Sequence, residues 1–588
     1  MSSAFLILSS PGLSRTLLDT IEGSAHALLP FTPSHTQSHH DPAAGLSFSS
    51  WSIFEEAARG AYTHVAPSTD ASGPSITSFD GWFVEDAPVS QSLARALHER
   101  IVRDGFHHTL STLEGAHVSA HLDARGQVRA ARAISNAQHL YYGQRGDLIA
   151  ISNRAMLVAT ALERGSKPVL DKWFFAWWAS TNMAPLTFEL SPWRGVQSLA
   201  PHRMLLLRDH ALHVQPLAHP KPYASWEEAR QDHITRCNVW ARLPDVRTRL
   251  PLTGGKDSRS ILAALLAANT HRDLDHAYLR APEDHPDAII AKELADRCGI
   301  PLIFYDFSPF LEEPLLEHLV KHLHCTEARL HPWDVKSVAP TERCVSLGGH
   351  FGELYRSHVS SHLLLSWPGV HLLLDAPKQL DKFGCLSEES ITMLRAHTRA
   401  WIAAKKESGI PIRAARDRWH REARMWQWAT DAMRADSVDS VTFTPLVSGR
   451  QLASYDTQSL LEQRAERTHF EWMQVAPEWL WRHPFAGATW RKELMPWSRR
   501  PHAKGIPSSS MWPHQTRQYL MWKSSQEELV AFLCESSSGS PFQDVFDLER
   551  VRQAVARYLD GDTRGTPDQL LLKGIFGILG AKLMMEPA

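Results

Sequence analysis

The segment Thr253-Gly254-Gly255-Lys256-Asp257-Ser258-Arg259 combines residue types that handle phosphate. A glycine pair lets backbone N–H groups come close to a ligand. A helix that begins directly after it aims its positive end at the same place. Ser258 then offers a hydroxyl to a phosphate oxygen, Asp257 a carboxylate to Mg2+ bridging phosphates, and Lys256 a further cation. The spacing is not GxxxxGK[ST] and no GxGxxG follows a strand, so P-loop and dinucleotide sites are not supported. A bare Gly-Gly turn with a capping Asp or Ser would carry no chemistry. The full string between a strand and a helix carries phosphate binding.

The flanking pattern supplies that context. Residues 246–252 read as a short strand, and 258–268 as a helix with Ile261, Leu262, Leu265 and Leu266 on one stripe. Strand 274–279, helix 287–298 and strand 302–307 follow, an alternation that predicts a parallel sheet. Upstream the signals differ. Residues 116–122 alternate, 123–126 supply turn chemistry and 128–134 form a second strand; 140–142 and 148–151 flank another turn. Repeated hairpins predict an antiparallel, sandwich-like arrangement. Leu170, Trp173, Phe174 and Trp177 recur at helical spacing, so 169–180 is a helix. The division is therefore 1–215, a proline-bearing linker at 216–225, and 226–588, which becomes mostly helical from about residue 385.

Composition excludes several classes. A chain of 588 residues needs more than one core. Its 43% hydrophobic and 21% charged content are those of a globular protein, and the net charge of -2 comes with no basic run interleaved with aromatics. Nucleic acid is not the expected partner. The six cysteines form no CxxC pair and no disulfide framework. The apolar run 4–8 is too short for a signal peptide or a membrane span, so a cytoplasmic protein without membrane association is expected. His318, His322, His324 and Cys325 invite a zinc reading, but 33 histidines make such clusters common and HExxH is absent. The tryptophans at 173, 177 and 178 are expected to fill a core.

Residues 252–258 resemble the SGGxDS pyrophosphate-binding motif of the asparagine synthetase and β-lactam synthetase superfamily. Leu113-Glu114-Gly115 and Leu140-Tyr141-Tyr142 resemble pieces of that family's N-terminal glutaminase-like domain. Ser346-Leu347-Gly348-Gly349-His350-Phe351-Gly352-Glu353 is similar to its second glycine motif, Thr444-Pro445-Leu446 to a Pro-Phe/Leu motif, and 496–504 to the segment bearing the catalytic lysine. The resemblance implies a degenerate Ntn-type glutaminase-like β-sandwich over 1–215. It implies an adenine-nucleotide α-hydrolase-like parallel-sheet domain with a helical C-terminal part over 226–588. It implies ATP and Mg2+ as cofactors, with Thr253, Gly254, Gly255, Lys256, Asp257, Ser258, Arg259, Gly348 and Gly349 around the nucleotide and Asp257 as the metal ligand. Glu353 would orient or deprotonate an amine, and Lys504 would stabilise charge over the α-phosphate.

Two departures shape the expected activity. Ser2 stands where a glutamine-hydrolysing member needs cysteine, and a thiol is far more nucleophilic than a hydroxyl at neutral pH. Without internal ammonia, the branches that use a peptide or internal amine are favoured, and the chain looks most like the macrolactam-forming lasso peptide cyclases. Such an enzyme adenylates an Asp or Glu side chain of a precursor peptide, and the peptide's own N-terminal amine displaces AMP. A leader-binding protein and leader peptidase are its possible partners. The alternatives are an amidotransferase using free ammonia on a small acid or sugar acid, and an inactive peptide- or nucleotide-binding homologue. The second departure is Gly352, which aligns with the family's other metal-binding Asp. That duty falls to Glu353, Asp284 or Asp287, or the alignment shifts by one residue. Asp287 is also placed to be a plain helix N-cap.

Overall fold

In the computed structural model the described residues are 3–29, 33, 35–52, 64–66, 75–83, 93–133, 138–180, 189–218, 220–240, 247–279, 281–305, 316–317, 319–320, 323, 344–357, 381, 384–409, 420–421, 425, 429–430, 441–487, 489–494, 497, 525–536, 539–559 and 568–585. The N-terminal part holds strands β1 (Ser3–Ser9), β2 (His35–Asp41), β3 (Leu46–Ser52), β4 (His64–Ala66), β5 (Ser75–Phe83), β6 (Gly115–Leu122), β7 (Val128–Arg132), β8 (Tyr141–Arg145), β9 (Leu148–Ser152), β10 (Val196–Ser198), β11 (Arg203–Arg208) and β12 (Ala211–Pro216). They form two antiparallel sheets, in the orders β10-β8-β9-β1-β3-β2 and β12-β11-β7-β6-β5-β4.

Strand alternation explains why the sheets stack. Phe5, Ile7 and Ile151 of one sheet meet Val118, Ala120 and Leu205 of the other. On the opposite face of β1, Ala4, Leu6 and Leu8 pack against helices Arg15–Ala27 and Ala155–Leu162. Phe79, Ala131 and Met204 on the far side of the second sheet meet helices Leu93–Asp104 and Phe106–Thr112. The run 4–8 is thus a strand covered on both faces, which is why it has no polar alternation. The expected antiparallel sandwich is present, with helices outside both sheets.

Strands β13 (Arg247–Pro251), β14 (His276–Leu279), β15 (Leu302–Phe304), β16 (Cys344–Leu347) and β17 (Val441–Phe443) form one parallel sheet, in the order β15-β14-β13-β16-β17. Helix Lys256–Ala267 connects β13 to β14, and helix Pro286–Cys298 connects β14 to β15. Their apolar stripes (Ile261, Leu262, Leu265 and Ile290, Ala291, Leu294) enter a common core with the sheet and with Phe470, Trp472 and Leu480 from later helices.

A third core crosses the sequence division at 216–225. Phe174, Phe175, Trp177 and Trp178 of helix Lys172–Ser180 are buried among Leu394, Trp401, Leu529, Phe542, Ile578 and Leu579. Trp177 and Trp178 fill a core as expected, but a core shared between the two ends of the chain. Trp173 is half-buried, with the Lys172 ammonium 4.7 Å from its ring centroid. Among the described residues no helix is long and apolar enough to cross a membrane.

Glu114 makes a second junction. Its carboxylate accepts hydrogen bonds from the Gly449 and Arg450 amides, both at 3.0 Å, at the N-terminus of helix Gly449–Thr457. An acid there satisfies first-turn donors and complements the helix dipole. Glu114→Ala is expected to lower stability by about 1–3 kcal/mol, measured by urea unfolding. An unchanged midpoint would refute the role of this contact.

Candidate functional site

The loop after β13 folds on itself first. The Leu252 amide donates to Tyr278 O at 3.0 Å, which keeps the chain in the sheet up to the turn. The Thr253 amide then donates to Ser258 Oγ at 3.1 Å and the Gly255 amide to Thr253 Oγ1 at 3.1 Å. The Gly254 amide donates to Asp287 Oδ1 at 2.8 Å. Three loop amides are therefore engaged inside the protein. Helix Lys256–Ala267 starts from Gly255, which supplies no side-chain cap. Its first-turn amides lack intrahelical acceptors, an arrangement that suits an anion. Gly254 must be glycine because a Cβ there would lie 2.8 Å from Ala486 Cβ and 3.0 Å from Asp287 Oδ1.

The sheet order says where this element lies. From β13 the chain builds β14 and β15 on one side, then returns to add β16 and β17 on the other. The crevice at the carboxyl ends of β13 and β16 is the switch point, where open α/β sheets bind ligands. The second glycine segment follows β16 into that crevice. The Gly348 amide donates to Phe443 O at 2.7 Å. A Cβ on Gly349 would sit 3.1 Å from the Ser258 amide nitrogen and 3.2 Å from Asp257 Cβ. The two glycine motifs, separated in sequence by most of the sheet, thus touch.

Asp257 is the centre of the contact. Its Oδ1 accepts from Arg356 Nη2 at 2.5 Å and from His469 Nε2 at 2.9 Å. A carboxylate only accepts, so His469 is the donor through Nε2. Burial raises the Asp257 carboxyl, but Arg356 and His469 outweigh it and hold it below the usual range. A Cβ on Gly352 would fall 2.1 Å from the same Oδ1. Gly352 is therefore in direct contact with Asp257, and there is no room for a side chain at that position. Glu353 begins the same short 3-10 turn, Gly352–Tyr355, with its carboxylate 3.5 Å from His420 Nε2 and one-third exposed at 33%.

Several expected phosphate ligands face elsewhere. Lys256 is buried at 5% exposure; its Nζ pairs with Glu466 and donates to Thr489 O at 2.9 Å. Burial raises the Glu466 carboxyl, yet Lys256, Arg356 and His469 overcome it and hold it at about 2. Glu466 reaches this position from a left-handed backbone, φ 57°, at the N-cap of helix Arg467–Met473. That conformation costs about 1–2 kcal/mol for a residue other than glycine. Arg259, fully buried, donates to His483 O and Pro484 O at 2.7 Å and stacks 4.0 Å from the Phe485 ring centroid. Both cations secure the loop from behind, because positions 256 and 259 point into the core. Ser258 likewise staples the turn: its Oγ lies 3.1 Å from Thr253 Oγ1 as well as accepting the Thr253 amide.

Asp287 is not an N-cap. His285 caps helix Pro286–Cys298, accepting the Asp287 amide at 3.1 Å, and Asp287 buttresses the glycine loop. Burial pushes its carboxyl up. Asp284 is exposed and takes no hydrogen bond at this site. The Pro445 and Leu446 carbonyls accept from Arg236 Nε at 3.0 Å and Tyr355 Oη at 2.8 Å, so the third motif braces the 3-10 turn. Lys504 lies outside the described residues, as do Ser2, His318, His322, His324 and Cys325. Arg356, His469 and Glu466 carried no sequence signal. Arg356 lies just past the second glycine segment and the other two come from a stretch with no glycine pattern; only folding brings Arg356 and His469 to Asp257 and Glu466 to Lys256.

No family model matches the sequence, and no curated protein matches it. Among solved structures, a glutamine phosphoribosylpyrophosphate amidotransferase from B. subtilis, complexed with ADP and GMP, is 12% identical over 60% of this chain and 77% of its own, with a TM-score of 0.25. A structure described as the allosteric regulatory enzyme of purine biosynthesis is 12% identical over 61% and 76%, with a TM-score of 0.24. Overlap this loose carries no argument about fold or activity.

Proposed function

We propose that the crevice between β13 and β16 binds the phosphates of ATP, and that the chain activates a carboxylate as its acyl-adenylate for capture by an amine. The observation that carries this is the meeting of the two glycine segments over an uncapped helix N-terminus at the sheet's switch point. The first-turn amides of helix Lys256–Ala267 hold the departing pyrophosphate. Asp257 Oδ1 is engaged by Arg356 and His469, so Oδ2 is the carboxylate oxygen available to a magnesium ion carried on the phosphates. Such an ion would neutralise charge on the leaving group. Glu353, partly exposed in the adjoining turn, orients or deprotonates the amine. Lys504 stabilises charge at the α-phosphate.

The specific reaction we propose is macrolactam closure in a precursor peptide, between an Asp or Glu side chain and the N-terminal amine. The absence of cysteine from residues 1–236 supports it, because without a thiol to release ammonia the amine comes from the substrate. Holding both ends of one peptide supplies the proximity that ring closure needs. A leader-binding protein or leader peptidase is the partner class that would deliver the peptide.

A second reading, a nucleotide-binding homologue without catalysis, is favoured by Gly352 alone. ATP–pyrophosphate exchange separates them, measured on the purified chain with candidate precursor peptides, with and without a leader-binding protein. Peptide-dependent exchange is expected. ATP binding with no exchange for any peptide supports the second reading, and no ATP binding refutes both.

A further inference from the structure

We propose that Arg356 is a phosphate-binding cation of this crevice, standing where a second carboxylate would otherwise help hold metal; this deepens the nucleotide reading above and rests on it. Gly352 leaves no side chain at the position, and even a Cβ there would collide with Asp257 Oδ1 at 2.1 Å. One turn later, Arg356 places Nη2 2.5 Å from that oxygen. The guanidinium carries five donors in a fixed fork. Asp257 engages one of its nitrogens, and Nε is buried with no hydrogen-bond partner among the described residues. The side chain is 23% exposed, so donors remain for a ligand entering from the crevice.

The other cations built into the loop cannot serve. Lys256 is committed to Glu466 and Thr489 O, and Arg259 to backbone carbonyls of 480–484. Three carboxylates, Asp257, Glu353 and Glu466, act on Arg356 together. Without a cation among them, the crevice would repel a polyphosphate. Asp257 thus orients the fork, and the fork's open edge matches two phosphate oxygens as a lysine ammonium would not.

The test is binding of inorganic pyrophosphate to the full chain by isothermal titration calorimetry, in EDTA and in magnesium buffer. Wild type is expected to bind in EDTA. Arg356→Gln is expected to weaken that binding by at least about tenfold, and Arg356→Lys, which keeps the ion pair with Asp257, by several-fold. The lysine variant keeps the test decisive if the glutamine variant folds poorly. Wild-type binding only with magnesium, or binding in EDTA unaffected by either substitution, would overturn the role of Arg356 and leave the nucleotide reading standing. Failure to bind pyrophosphate or ATP in either buffer would overturn both.

Discussion

Glu466→Ala is expected to destabilise the protein by about 3–5 kcal/mol, because it leaves the Lys256 ammonium buried without its partner. Replacing both members, as Lys256→Met with Glu466→Leu, is expected to recover most of that loss, since a buried ion pair and an apolar pair of similar volume are close in stability. Urea unfolding of the two variants decides it. A double variant as unstable as the single one would mean that the pair does more than satisfy itself. The pH dependence has a defined sign. Glu466 is held at about 2 against an ordinary 4.5, so its contribution is present above about pH 4.5 and is lost as pH falls toward 2. The shift corresponds to about 3 kcal/mol. Wild type should lose stability over that window more steeply than the double variant.

Gly352→Ala is expected to lower ATP–pyrophosphate exchange on the order of 100-fold or more while the chain stays folded. The added Cβ would sit 2.1 Å from Asp257 Oδ1 and 2.4 Å from its Cγ, so the carboxylate must leave its present position. Leaving it breaks the hydrogen bonds from Arg356 and His469 together. Loss of one oriented electrostatic group typically costs 10²–10³-fold in rate, about 3–4 kcal/mol. Gly352→Asp, which restores the residue type found in the resembled family, is expected to be worse, because it adds a like charge to the same clash. Exchange kinetics and pyrophosphate affinity provide the readout, with circular dichroism to confirm folding. An aspartate variant more active than wild type would show that Gly352 is a lost metal ligand and not a required glycine.

A third measurement tests Asp257. Asp257→Asn keeps the shape and an acceptor for His469 but removes the charge that faces Arg356. Product formation should fall to background with the unfolding free energy within about 2 kcal/mol of wild type. Full activity in this variant would exclude a role for the carboxylate in binding magnesium.

Much of the scaffold was legible because local patterns are short-range physics. The strand–glycine–helix at 247–267 shows within a single short stretch: β-branched and leucine positions, two glycines, then an apolar stripe. The hairpins at 115–132 and 141–152 are marked by alternation and turn residues. The proposed phosphate cradle is of this kind, since its amides belong to consecutive residues. The loop's basic residues were misread for an equally physical reason. A lysine and an arginine beside a glycine loop look like ligands, but helix periodicity turns positions 256 and 259 toward the core.

What only the tertiary structure decided is the company Asp257 keeps. Residues 352, 356 and 469 meet it, and Glu466 meets the neighbouring Lys256, because β16 lies beside β13 at the switch point and helix Arg467–Met473 packs on helix Lys256–Ala267. Nothing in the spacing of those residues encodes that meeting. Strand order and helix packing are set by the burial of whole faces, which act over distances no sequence window spans. The same holds for helix Lys172–Ser180, whose tryptophans announce a core but not that its other half lies between Leu319 and Met585. By itself the sequence determined that a glycine turn leading into a helix would form after β13. The packed sheet decided that its acid would be met by an arginine, a histidine and a glycine.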